Sequence, residues 1–254
     1  MRNLILTLSA LLLVSTPAWA DNTSFANAQN LVPGQPPVSF TLNAATPARY
    51  YVFTAVAGRS YCAEMITTSE TSVIADSNIA LHRQSQSLIV SNDNTAEEPL
   101  SGLNAPSGGG LSRACFIAPA NESTFVVVSQ PNPASSFQWQ ARVVETTLFS
   151  NWFFLGNTYG AFTLLRNTTS SSLNYTINWR NGSGTVVSTT SGMLGANQGA
   201  YFNAGTLPPA VAATTGTVEI AHNSSPDAIV ASTTVLSGAT GLSFDAPFIK
   251  RQPW

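Results

Sequence analysis

Hydrophobic and polar residues alternate along most of this chain with a period of two. The clearest case runs from 173 to 180, where Leu173, Tyr175, Ile177 and Trp179 alternate with Asn174, Thr176, Asn178 and Arg180. Successive side chains of a strand point to opposite faces, so this stretch buries one face and wets the other. Its β-branched and aromatic residues favour the same state. Asn181-Gly182-Ser183-Gly184 follows, a turn of residues that tolerate positive φ, and 185–190 resumes as its β-prone partner. Burying the four large side chains contributes on the order of 6–12 kcal/mol gross, an upper bound because denatured chains are already partly compact.

The same pattern predicts strands at 38–42, 49–56, 60–66, 78–81, 87–91, 114–117, 124–129 and 137–144. After a boundary near 145–150 it predicts further strands at 161–166, 199–204, 217–222 and 228–236. Residues 21–30 read as a polar lead-in with a short turn or helix, and 92–110 reads as a loop ending in Gly108-Gly109-Gly110. Many short strands separated by turn residues point to antiparallel sandwiches. The expectation is an all-β protein of two antiparallel β-sandwich domains, at 21–146 and 147–254. The two halves show no convincing mutual repeat.

Residues 1–20 stand outside this pattern. Arg2 gives a positive start, 4–14 is apolar, and Ala18-Trp19-Ala20 forms an Ala-x-Ala cleavage pattern before Asp21. These are the marks of a signal peptide, and the apolar run is too short to span a bilayer as a helix. No cysteine follows the cleavage pattern, which argues against a lipid anchor, and no later stretch is long enough for a membrane span. The chain is expected to be exported, to the periplasm or beyond.

Composition agrees with export. Charged residues make up 9% of the 254, against about 25% in a usual soluble domain, so Ser, Thr, Asn and Gln must supply solubility. The formal charge is −2; removing Arg2 with the leader leaves nine basic against twelve acidic residues, or −3. That weak, scattered charge gives no electrostatic basis for binding nucleic acid or anionic membranes. Cys62 and Cys115 are the two cysteines. An even pair in an exported chain most simply forms a disulfide, which from loop-closure entropy contributes roughly 4 kcal/mol. Two isolated buried thiols are the alternative; no partner for a thiol nucleophile is recognisable.

The first half, over about 25–145, resembles the bacterial pre-peptidase C-terminal (PPC) domain. Four segments carry the likeness in order. Arg49-Tyr50-Tyr51-Val52-Phe53-Thr54-Ala55-Val56-Ala57-Gly58 is similar to the family's Tyr-Tyr-x-Phe strand and turn. Asp76-Ser77-Asn78-Ile79-Ala80-Leu81 resembles its Asp-x-x-Leu-x-Leu strand, and Ser91-Asn92-Asp93-Asn94 the turn after it. The segment 122–128 resembles a late strand, with Ser123 and Phe125 in place of the usual Gly and Tyr. The resemblance implies a β-sandwich of the kind appended to secreted hydrolases, some of whose relatives bind matrix or carbohydrate with calcium. The second half more weakly resembles β-sandwich domains of the sensory rhodopsin transducer type, through Trp152-Phe153, the segment 156–165 and the strand Ile229-Val230-Ala231-Ser232-Thr233-Thr234.

Candidate chemistry is sparse. The chain has no Gly-x-Ser-x-Gly elbow, His-Glu-x-x-His, Cys-x-x-Cys or phosphate-binding loop. Its two histidines, His82 and His222, fall in different halves; His222 with Asp227 and a serine makes a triad only on paper, because a general base needs hydrogen-bond reach to its nucleophile. Adjacent Glu97 and Glu98 do not make a glycosidase pair. Asp76, Asn78, Asp93 and Asn94 form the most coherent polar group. Calcium takes six to eight oxygens from such turns, while capping of nearby backbone is the plainer role of Asx residues. Among the aromatics Trp139, Trp152, Phe153, Phe154, Trp179, Tyr201 and Trp254, the position of Trp179 on an apolar strand face makes it core. Trp152 and Trp254 flank the second half and are the candidates for a binding surface.

These observations favour an exported, non-catalytic binding or assembly protein. It would act through sandwich loops or a strand edge on a carbohydrate or protein partner. An accessory or degenerate component of a secreted hydrolase system is one alternative, and a structural homo-oligomer built through the C-terminal half is another.

Overall fold

The computed structural model describes residues 22–67, 77–93, 112–130, 136–156, 158–207 and 211–250. Strands dominate, and among the described residues the helical structure is a single 3-10 turn at Phe25–Asn27. That turn falls in the polar lead-in, where Ser24 N–H and Oγ both hydrogen-bond Asn27 Oδ1 at 2.8 Å.

The first sandwich holds β1 (Gln29–Asn30), β2 (Val38–Leu42), β3 (Ala48–Ala55), β4 (Ser60–Thr67), β5 (Asn78–His82), β6 (Leu88–Asn92), β7 (Arg113–Ile117), β8 (Glu122–Ser129) and β9 (Phe137–Glu145). They form a five-stranded sheet in the order β1-β3-β8-β5-β6 and a four-stranded sheet β2-β9-β4-β7. All pairs are antiparallel except the two-residue β1–β3 contact. Tyr51, Phe53, Met65, Ile79, Leu81, Val126 and Trp139 fill the space between the sheets.

The second sandwich holds β10 (Leu148–Phe154), β11 (Tyr159–Asn167), β12 (Leu173–Asn181), β13 (Val186–Leu194), β14 (Gly199–Asn203), β15 (Thr215–His222), β16 (Ile229–Ser237), β17 (Ser243–Pro247) and β18 (Ile249–Lys250). Its sheets run β13-β12-β15-β10-β18 and β14-β11-β16-β17. Leu173, Tyr175, Ile177 and Trp179 all face its core, as the alternation of β12 requires. The turn after β12 closes on Asn181, whose Oδ1 accepts from Ser183 N–H at 3.1 Å and Thr185 N–H at 2.9 Å. Gly184 takes φ +82° there, a conformation that costs a side-chain-bearing residue.

Three readings need correction. The segment 148–154, expected to be boundary and aromatic cluster, is a full strand that pairs with β15 and β18. The partner of β12 runs on past Thr190 to Leu194, because Gly192 leaves room for the Tyr175 ring, whose hydroxyl would lie 2.6 Å from a Cβ at that position. The tail, whose sequence shows no clear alternation, supplies β17 and β18.

Two polar devices brace the first sandwich. Cys62 and Cys115 sit directly opposite on β4 and β7 and are joined by a disulfide. Two register steps away, on the same face, Glu64, fully buried, lies between Arg113 (2.8 Å) and Arg142 (2.6 Å), its cross-strand neighbours on either side. A carboxylate can be buried there because both of its oxygens are met by charge-assisted bonds.

The sandwiches also touch each other. Thr146, in the short link between them, donates N–H to Ser60 O and Oγ1–H to Ser60 Oγ, at 2.8 and 2.9 Å. Ser60 N–H reaches Thr147 Oγ1 at 2.9 Å. Arg59 lies over the Phe149 ring, and Gly58 faces Asn178. The β3–β4 turn therefore covers part of the outer face of the β12-β15-β10 layer. Asn178, Glu219 and Ala221 point away from the second core, yet they are buried.

Candidate binding surfaces

The register of β10 against β15 slips between Ser150 and Phe153. An extra residue in one strand bends it and re-aims side chains. Phe153 goes inward, fully buried, against Gly216, where a Cβ would stand 3.0 Å from its ring. Trp152 is turned out and 38% exposed. It stacks on Phe154 (6.5 Å between centroids), which meets Tyr159 edge-on at 5.4 Å across the β10–β11 turn. Of the two tryptophans expected to flank the second half, Trp152 thus lies in an exposed aromatic group, and Trp254 falls outside the described residues.

A larger apolar surface lies on the opposite layer. Pairing places Tyr201, Leu164, Ser232 and Pro247 in one row across β14-β11-β16-β17. The next row is Asn203, Phe162, Thr234 and Asp245, with Leu236 and Val230 beyond on either side. All point away from the core. Tyr201 is 74% exposed, and Leu164, Val230 and Leu236 are exposed with it. The Phe162 ring lies across Gly160, where a Cβ would come within 3.1 Å of it. The polar rim holds Arg166 and Asp245, the latter accepting from Thr234 Oγ1 at 2.6 Å. Such a face combines ring and alkyl surface with a fringe of hydroxyls and amides, which suits a ligand that is partly apolar and rich in hydrogen-bonding groups.

Tyr201 stood among the candidate aromatics; Leu164, Phe162, Val230 and Leu236 did not. Their signal was present as apolar doublets: Ile229-Val230 and Val235-Leu236 in β16, and Leu164-Leu165 in β11. Neighbours in a strand face opposite ways, so a doublet places apolar surface on both faces at once.

The proposed cation ligands fare differently. Asn78 and Asp93 come together at the open end of the β5–β6 hairpin, one step beyond the Ile79–Asn92 pair. The Ser112 hydroxyl donates to Ser77 O at 2.5 Å and Asp93 O at 2.9 Å, so the backbone here is held by hydroxyl capping. Asp76 and Asn94, and also Glu97 and Glu98, lie outside the described residues. Among the described residues no three of His, Cys, Asp and Glu cluster in a way that could hold a metal.

His222 ends β15 at the junction of the two sandwiches and is fully buried. Its Nδ1 accepts from Ser224 N–H at 3.4 Å, and Nε2 has no hydrogen-bond partner among the described residues. Burial pushes its pKa down to about 4, with the Lys250 charge acting in the same sense; the Thr146 and Ser224 backbone and Asp227 oppose. Asp227 is paired with Lys250, and the ring meets the Ser224 backbone rather than its hydroxyl. Asp227 is thus engaged by Lys250, and His222 Nδ1 by a backbone N–H. His82 Nδ1–H donates to Gln86 O, 3.0 Å away, and the ring packs edge-on against Phe25. Trp139 and Trp179 are core. No described helix is long and apolar enough to cross a membrane.

No family model matches the chain, and no curated protein matches it. Some solved structures overlap it weakly. A Bacteroides uniformis β-glucuronidase has 10% identity and a TM-score of 0.22, covering 80% of this chain and 26% of its own. A glycosyl hydrolase family 2 member from Bacteroides cellulosilyticus has 6% identity and a TM-score of 0.23, covering 80% and 28%. A β-galactosidase homologue from Bacteroides fragilis has 11% identity and a TM-score of 0.20, covering 79% and 32%. The chain spans a third or less of each of these proteins, and superpositions at such scores do not establish kinship.

Proposed function

We propose that this chain is an exported, non-catalytic binding or assembly module, and that it binds through the outer face of β14-β11-β16-β17. One observation carries the reading: Tyr201, Leu164, Val230 and Leu236 all lie exposed on the outer face of one sheet, which no described part of the chain covers. Soluble proteins seldom leave such a face without a partner. The disulfide between Cys62 and Cys115 supports export, as does the leader pattern before Asp21. The first sandwich, the PPC-like half, serves in this reading as a rigid support docked on the opposite layer. Exposed rings whose fringe of hydroxyls and amides holds one charge of each sign, Arg166 and Asp245, favour a glycan or glycan-bearing envelope component over a ligand of one charge sign.

The test is co-sedimentation of the purified protein with insoluble polysaccharides, bacterial cell-wall sacculi among them. Wild type is expected to sediment with at least one of these, and the Tyr201→Ala/Leu164→Asp variant to stay in solution with an unchanged melting curve. A variant retained as well as wild type would remove this face as the site. A wild type retained by none would remove the glycan reading.

A further inference from the structure

The four sheets end in eight edge strands, and one of them stands apart. Strand β13 is nine residues long, while the other seven, β1, β2, β6, β7, β14, β17 and β18, have five or fewer. Edges are normally shortened or guarded by charge, proline or bulges because their free N–H and C=O groups template another strand. The guards are visible elsewhere: Arg113 on β7, Asp245 and Pro247 on β17, and Lys250 on β18. Strand β13, Val-Val-Ser-Thr-Thr-Ser-Gly-Met-Leu, has neither charge nor proline. Its irregularity is a bulge at Val187, near one end, which leaves Ser188 to Leu194 in unbroken register with β12. The first sandwich stops short of this edge, since Thr189, Ser191 and Met193 on the layer's outer face are exposed.

We infer that β13 is a self-pairing edge, and that its occupant is β13 of a second copy of this chain, antiparallel and centred on Thr190. The argument is the strand's own symmetry. Turned end for end about Thr190, it sets Thr189 against Ser191, Ser188 against Gly192 and Val187 against Met193, with Val186 beyond the bulge and outside the pairing. Polar residues meet polar or small ones in the middle, and apolar residues meet apolar ones at both ends. Cross-strand pairs of like kind stabilise a sheet, and a two-fold contact requires that each patch complement itself. The close approach is eased at Gly192, which carries no side chain. Such pairing would join two five-stranded sheets into one of ten.

Edge-to-edge antiparallel pairing has its two-fold axis perpendicular to the sheet. Both β14-β11-β16-β17 layers then lie on the same side, and their outer faces point the same way. A dimer built on β13 is therefore a bivalent platform, able to hold a repetitive polymer more tightly than either copy alone. This use of the dimer rests on the binding reading above; the pairing itself does not.

Sedimentation velocity of the purified protein, disulfide intact, from micromolar to submillimolar concentration tests the pairing. The expected result is a doubling of mass with increasing concentration. The variant Thr189→Lys/Ser191→Lys places like charges opposite each other twice in the proposed register, and it should remain monomeric. The variant Thr189→Lys/Ser191→Glu changes the same two positions but sets opposite charges together, and it should recover the dimer. A wild type that stays monomeric throughout overturns the inference. So does a Lys/Lys variant that still dimerises, and so does a Lys/Glu variant that does not. Mass is read without any ligand, so a monomer that still sediments with polysaccharide overturns the pairing alone, and a dimer that binds nothing overturns the function alone.

Discussion

The two outer faces of the second sandwich reverse what their residues lead one to expect. On the β12-β15-β10 layer the outward positions are polar, with Asn178, Glu219 and Arg180 in reach of one another, yet Asn178 and Glu219 are buried. On the β14-β11-β16-β17 layer the outward positions include Tyr201, Leu164, Val230 and Leu236, and these are exposed. The difference is what lies above them. The β3–β4 turn of the first sandwich, with Gly58 and Arg59, sits on the polar layer, whose polar groups are met within their own sheet, Asn178 Oδ1 by the Thr189 hydroxyl and Glu219 by Arg180. The apolar layer has no cover among the described residues. A permanent contact inside one chain can be polar, because it need never open, whereas large apolar surfaces are the kind that partners cover.

That contrast is broken most severely from beneath the covered layer. Trp179 is fully buried between the layers, so Trp179→Ala should cost about 3–5 kcal/mol, read as a lowered urea midpoint. Trp179→Phe should cost much less, because the indole N–H has no acceptor among the described residues and phenylalanine removes that orphan donor. If both variants lose the same stability, the core account is wrong.

His222 gives the next effect, on the order of 3 kcal/mol, and it appears as a pH dependence. Its folded pKa, about 4, lies below its unfolded value. Between the two, the unfolded chain binds the proton and the folded chain does not, so stability must fall as the pH drops from about 6.5 towards 4 and then level off. Carboxylates titrate in part of this window, so the measurement is the difference between wild type and His222→Gln in chemical denaturation at each pH. The variant should flatten the slope above pH 5. An unchanged slope would mean that the junction already admits water or a proton to the ring.

How legible was this in the sequence? The strands with clean alternation were: β12 kept its expected start at Leu173 and ran one residue past Arg180, and β2 matched end to end. Strand β10 was missed because its Ser150–Phe153 bulge spoils the period of two that reveals a strand. The β17 and β18 tail was missed because Pro247 and a five-residue length make a poor pattern. The disulfide could be inferred because an exported chain with two cysteines has a single intramolecular pairing to offer. The binding face was harder. Alternation tells which face of a strand enters its own core, but not whether another domain covers the other face. Asn178 and Tyr201 both alternate outward, and no local rule distinguishes the one under the β3–β4 turn from the one in solvent.

Gly58 offers a smaller, more local break in the comparison. It holds φ +76° at the tip that covers the polar layer, and a Cβ would contact Asn178 Nδ2 at 3.4 Å. The space is ordinary, so the cost of Gly58→Ala comes from the backbone conformation, about 1–2 kcal/mol. Thermal unfolding should show a modest drop for this variant, whereas Gly182→Ala in the β12–β13 turn, with open space around it, should change the transition little. Equal losses would mean that the tip adapts its backbone without strain.

The smallest expected change in stability is at the exposed layer, and its smallness is what makes it informative. Tyr201 is 74% exposed and sits on edge strand β14, so Tyr201→Ala should shift stability by no more than about 0.5 kcal/mol. A residue chosen to hold the fold together would not be that dispensable. If Tyr201→Ala instead destabilises by as much as a core truncation, the ring is packed in solution and the apolar layer is covered, either by another part of this chain or by a second copy. If stability is unchanged while retention on polysaccharide is lost, the apolar layer is maintained for its ligand, and the asymmetry between the two faces is functional rather than a by-product of packing.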